Sequence, residues 1–188
     1  MSDDAFADRR KALEESFFAK QEEKARQQLK AKLEAKQARE ALAEASGIED
    51  AAVLDRLESL GVAADTVAAM SLVPLVEVAW ADGKLDGNER DAILKAADSS
   101  GLGGDAPARG MLEAWLDTQP GGELRSAWKD YVTSLAESME PAERNALRDA
   151  VLGKARSVAE AAGGFLGLGN KVSDEEQAVL ADLESVFG

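Results

Sequence analysis

The chain contains no cysteine and no histidine. The first absence excludes disulfides, thiolate nucleophiles and cysteine metal sites. The second removes the commonest general base, the commonest transition-metal ligand and the usual switch near neutral pH. Ser-His-Asp and Cys-His catalysis are therefore closed to this chain's own residues. Aromatic residues make up only 5% of the sequence. No run of β-branched residues alternates with period two, so strands are not expected. No apolar run is long enough to span a bilayer. The opening residues, Ser2-Asp3-Asp4, form neither the basic nor the apolar part of a secretory signal, so a cytoplasmic protein without membrane insertion is expected.

What is present is alanine, leucine, glutamate and lysine, a balance that favours helix and predicts an all-α fold. A length of 188 residues suits one domain with an added arm. The formal net charge of −14 is unevenly placed. Residues 1–46 hold ten Lys/Arg and ten Asp/Glu, whereas residues 47–188 hold twelve and twenty-six. A neutral, densely charged arm thus precedes a strongly acidic body. Such a body repels nucleic acid and anionic lipid, and its natural partners are cations and basic protein surfaces.

Residues 3–45 lack glycine and proline and read as one long helix, closed by Gly47. Phe6, Leu13 and Phe17 share one face, while Ala25, Leu29 and Leu33 share another, roughly 120° around at 3.6 residues per turn. Two readings of this arm stay open. It is either a solvated helix without a sustained heptad, or a docking element whose Phe6, Leu13, Phe17 and Phe18 seat on a partner protein.

A short connecting helix is expected at about 50–60, within a segment 47–63. The apolar stretch 65–81 reads as a buried central helix, and Pro74 predicts a break near Leu72. Further helices are expected from Asp86 to Gly101, over 105–118, over 123–138, from Pro141 to about 162, and from Ser173 to the end. The three tryptophans read as core residues. Residues 64–188 form the expected helical domain.

One internal echo stands out. Leu85-Asp86-Gly-Asn-Glu89 and Val172-Ser173-Asp-Glu-Glu176 both read apolar, cap, x, x, Glu, the pattern of a capping box. Each follows an apolar helix and a glycine-containing hinge. Two such units can pack with approximate two-fold symmetry.

The first hinge carries Asp82, Asp86 and Glu89, with Glu77 one turn or more earlier. Three carboxylates beside a glycine turn are the oxygen ligands that calcium or magnesium prefers. An EF-hand is excluded, because Lys84 stands at the third loop position and Ile93 at the twelfth. The alternative is purely structural: Asp86 and Glu89 cap a helix, and Asp82-Gly83 ends one. The stretch Gly163–Lys171 follows a helix and lacks the ending of a phosphate-binding loop, so it reads as an interhelical connection held by Phe165 and Leu166. Glu175 and Glu176 are adjacent on a helix and point apart, so they make no catalytic pair.

At Val78-Ala79-Trp80-Ala81-Asp82-Gly83, followed by Asp86 and Glu89, the chain resembles the TerB-like family over roughly residues 64–188. That family includes tellurite-resistance proteins and the N-terminal domain of a membrane-linked DnaJ co-chaperone. The resemblance implies a helical bundle with an internal pseudo-two-fold, a link to stress responses, and metal binding through Asp82, Asp86 and Glu89. The second echo keeps Glu176 but has Ser173 at the cap and Gly169-Asn170 where Ala-Asp-Gly would sit, which leaves no complete second ligand set.

Within the arm, Phe6-x-Asp8-Arg9-x-Lys11-Ala12-x-Glu14-x-x-Phe17 resembles the opening of the zeta-type inhibitor of bacterial rotary ATP synthase. That resemblance implies a helix that enters a catalytic subunit interface and blocks rotation. The expected function is thus a non-enzymatic helical regulatory or interaction module, with ATP synthase inhibition as the alternative.

Overall fold

The structure is a computed structural model that describes the backbone of residues 2–104, 106–162 and 172–188. Side chains of residues 1–16, 18, 19 and 162 lie outside the described set. Among the described residues there are eight α-helices and no strand: α1 (Ser2–Ser46), α2 (Ala51–Ser59), α3 (Val73–Ala79), α4 (Gly87–Ser99), α5 (Pro107–Asp117), α6 (Gly122–Glu137), α7 (Pro141–Ala162) and α8 (Asp174–Glu184). Short 3₁₀ turns at Val67–Leu72 and Ser185–Phe187 complete the described elements.

The chain divides into two compact units, residues 1–40 and 41–188. In the first unit, α1 runs without a break, as expected from its alanine and long straight side chains. Its described side chains from Lys20 to Ala38 are exposed, including Leu29 at 60% and Leu33 at 53%. Lys30–Glu34 and Lys36–Glu40 form spaced i, i+4 pairs at 3.8 and 3.6 Å, each worth a few tenths of a kcal/mol at most. The final residues of α1 belong to the second unit, where Leu42 is fully buried. Gly47, at φ 71°, takes the left-handed conformation that stops the helix.

The second unit is organised around α3. All seven of its residues are buried, so it has no solvent-facing side. It packs against α7, α6, α8 and the preceding 3₁₀ turn, while α4 lies on α7 and α2 on α6. The break at Leu72 has the expected cause. Pro74 occupies the first turn of α3, where a missing amide hydrogen is harmless, and the chain before it is tightened into 3₁₀ geometry. Of the tryptophans, Trp128 is in the core, whereas Trp80 and Trp115 are half-buried against it. Trp80 Nε1 donates to the Trp115 carbonyl at 3.0 Å, tying the end of α3 to α5.

A helix enclosed on every side should carry no charge, yet α3 carries Glu77, 6% exposed. Arg125 of α6 answers it: Nε donates to Oε2 at 2.6 Å and Nη2 approaches the same oxygen at 2.5 Å. Arg125 also faces Asp182 of α8 at 3.8 Å, and Lys129, one turn on in α6, donates to Asp182. Burial still dominates, and Glu77 is held above the usual carboxylate pKa despite the guanidinium beside it. The network links three helices through one buried anion. Replacing Arg125 by Met strands that anion. The expected cost is about 2–4 kcal/mol, below the full buried-pair range because Arg125 is partly exposed. Urea unfolding measures it, and adding Glu77→Gln to Arg125→Met should recover most of the loss.

Candidate functional site

The hinge between α3 and α4 is built from local backbone needs. Trp80 closes α3, its amide donating to the Val76 carbonyl and the Ala81 amide to the Val78 carbonyl, each at 3.0 Å. Gly83, at φ 80°, reverses the chain, and its amide donates to the Trp80 carbonyl at 2.9 Å. Asp82 Oδ1 accepts from the Lys84 amide at 2.9 Å, an Asx turn. Asp86 then caps α4: its Oδ1 accepts from the Glu89 amide at 2.8 Å, while Glu89 Oε2 accepts from the Asp86 amide at 3.0 Å.

The second echo is built the same way. Ser173 Oγ accepts from the Glu176 amide at 3.2 Å, and Glu176 Oε2 accepts from the Ser173 amide at 2.6 Å. Ser173 Oγ also donates to that carboxylate at 2.7 Å. Both capping boxes expected from the sequence are therefore formed. Both glutamates are also buried, Glu89 at 5% and Glu176 at 7% exposure.

The tertiary fold brings these two carboxylates toward each other. Glu89 is pushed up from 4.5 to about 7, first by burial and then by the negative charges of Asp86, Glu176 and Asp82; its hydrogen bond from the Asp86 amide opposes the shift. The local echo made Glu176 visible in the sequence. Its nearness to Glu89, across most of the domain's sequence, left no local signal.

Of the expected ligands, Asp82, Asp86 and Glu89 share the hinge, but each accepts a backbone amide. Among the described residues, no group of three or more acidic side chains is placed to hold a metal ion. Glu77 is committed to Arg125 instead of the hinge. Of the expected docking residues, Phe17 is described and is 58% exposed; the side chains of Phe6, Leu13 and Phe18 lie outside the described residues, as does the Gly163–Lys171 stretch. No described helix is long and apolar enough to cross a membrane. Comparison with known proteins returns no family, no curated protein and no solved structure that matches this chain.

The raised Glu89 pKa sets a direction for pH dependence. Its folded value lies above the unfolded one, so its stabilising contribution is complete below 4.5 and is lost as the pH rises through about 7. Glu89→Gln keeps an oxygen for the cap but carries no charge. This variant should therefore gain stability relative to the parent as the pH climbs from 4.5 through 7. Denaturant unfolding of both proteins across that range measures the difference, and a constant gap would contradict the assignment.

Proposed function

We propose that the protein is a non-enzymatic helical interaction module, in which α1 supplies the contact element and the acidic bundle is its stable base. The observation that carries this reading is the exposure of large apolar side chains on α1. The exposed large hydrophobics among the described residues, Phe17, Leu29 and Leu33, all lie on that helix. Exposed apolar groups on a charged helix are what a docking helix presents. The missing cysteine and histidine, and the capping duty of the hinge acids, argue against catalysis.

The TerB-like reading draws on the same bundle. Exchanging α3 with α7 and α4 with α8 preserves much of the packing: α3–α8 contact answers α4–α7 contact, and α3–α4 answers α7–α8. The paired capping boxes obey the same exchange. A pseudo-two-fold bundle is the reading that this pattern supports; the link to stress responses rests on the resemblance around Trp80–Glu89 alone. For the arm, inhibition of a rotary ATP synthase is a specific form of the same proposal, favoured by an α1 backbone that is helical from Ser2 onward.

The deciding experiment compares intact protein with protein lacking residues 1–20. The intact chain should retain a partner from extract of its host that the shortened chain does not. If that partner is the ATP synthase, adding the intact chain should slow ATP hydrolysis and the shortened chain should not. Identical retention by both proteins, with unchanged hydrolysis, would remove the arm's first twenty residues as the grip.

A second reading is divalent-cation binding at the hinge. It draws on the shared negative charge of Asp82, Glu89 and Glu176, although among the described residues no three acids are placed together as ligands. A hard cation would relieve their repulsion, at the cost of loosening the caps. Calorimetric titration with calcium and magnesium should then show binding that Glu89→Gln weakens. Heat no greater than dilution would withdraw this reading.

A further inference from the structure

Leu29 and Leu33 are set in a distinctive charge environment. The positions three and four residues from either leucine are Ala25, Arg26, Lys30, Lys32, Lys36 and Gln37, which include four cations and no acid. The nearest acids on that face, Glu22 and Glu40, lie a further turn out in each direction. Residues 20–39 as a whole hold seven Lys/Arg against three Asp/Glu, whereas residues 41–188 hold twelve against twenty-seven. The arm therefore presents an apolar pair within a ring of positive charge. Lys30 and Lys36 pair with exposed glutamates at 3.8 and 3.6 Å, contacts that exchange easily for better ones.

The bundle carries a surface of opposite character. A cleft between α2 and α6 has two lobes that meet at Arg56. Arg56 is neutralised by Asp130 of α6. The larger lobe, about 660 Å³, includes Leu60 and Glu123 in its lining; the smaller, about 300 Å³, includes Val53, Asp50 and Glu137. Leu60 and Val53 are half-buried members of the core's edge. The cleft is thus apolar in part and lined by acids in excess of its one neutralised arginine.

We infer that the Leu29–Leu33 face of one copy seats in the α2–α6 cleft of a second copy of this chain, with Arg26, Lys30, Lys32 and Lys36 facing Asp50, Glu123 and Glu137. The inference rests on the reading of α1 as the contact element. Charge decides which surfaces pair. Arm against arm would set leucine on leucine but cation on cation, and cleft against cleft would set acid on acid. Only arm against cleft satisfies both the apolar and the ionic match. Each copy carries one of each, so copies of this chain alone supply both halves of the contact. Residues 22–40 span roughly 27 Å of helix at 1.5 Å per residue.

Sedimentation of the full chain over a range of concentrations and salt tests the inference. A reversible dimer that weakens as salt rises is expected. Leu29→Asp with Leu33→Asp should raise the dimer dissociation constant about tenfold or more, and Lys32→Glu with Lys36→Glu should do the same. Glu123→Lys with Glu137→Lys, on the cleft, should also weaken the dimer. Mixing the arm-reversed and cleft-reversed chains should then restore it, because the new glutamates of one arm can meet the new lysines of the other cleft while the remaining arm and cleft are native. Circular dichroism establishes that each variant keeps its helices. Removing residues 1–20 should leave the dimer intact, which separates this contact from one made by Phe6, Leu13 and Phe17. A monomer under all conditions would overturn the inference, as would a dimer indifferent to both charge reversals or a mixture that fails to re-form one. A monomer that instead floats with anionic vesicles through Leu29 and Leu33 would overturn it in favour of lipid.

Discussion

The bundle depends on one awkward fact: its most enclosed helix carries an acid. All seven residues of α3 are buried, so the helix has no face on which Glu77 can reach water. A carboxylate in that position costs several kcal/mol unless a cation and hydrogen bonds accompany it. Arg125 supplies both, and Asp182 and Lys129 extend the arrangement to α8 and back to α6. Apolar packing alone would tolerate small rotations of α6 and α8 about α3. The charge network adds a directional tie that joins α6 and α8 to α3 at one buried point. The raised pKa of Glu77 shows that burial outweighs even this compensation.

The same principle shapes the two capping boxes. Glu89 and Glu176 each satisfy a backbone amide that a helix start would otherwise leave unpaired. Locally, both are ordinary caps. Brought near each other inside the domain, they become a source of repulsion that the fold moderates by holding Glu89 close to its protonation point. Glu89, held up near 7 chiefly by its burial, is the member of the pair that responds to protons. That links the chain's repeated cap motif to a buried carboxylate whose pKa is raised.

Several elements were legible in advance because their causes are local. The unbroken run from residue 3 to 45 had no glycine or proline to interrupt a helix. Pro74 marked the break at Leu72, because a proline is accommodated without a lost hydrogen bond only in a helix's first turn. Asp86-x-x-Glu89 and Ser173-x-x-Glu176 spelled out their own hydrogen bonds. The tryptophans were less uniform than expected: Trp128 is enclosed, while Trp80 and Trp115 pack at the edge of the core. A large indole with an N–H to satisfy settles readily at such a boundary, as the Trp80 bond to the Trp115 carbonyl illustrates. The hinge was the opposite case. Its three acids shared a short stretch of sequence, but each was drawn to a different backbone amide.

By itself, the sequence determined the class of structure and the chemistry open to it: helices from composition and spacing, their ends from caps and glycines, and no cysteine or histidine chemistry at all. These follow from interactions within a few residues, which linear order specifies. Tertiary structure alone decided that Glu77 would meet Arg125, that Glu176 would stand near Glu89, and that a cleft lined by Glu123 and Glu137 would open between α2 and α6. Those relations join residues far apart in the chain. Their energies depend on distance and on exclusion from water, and neither exists until the helices have packed.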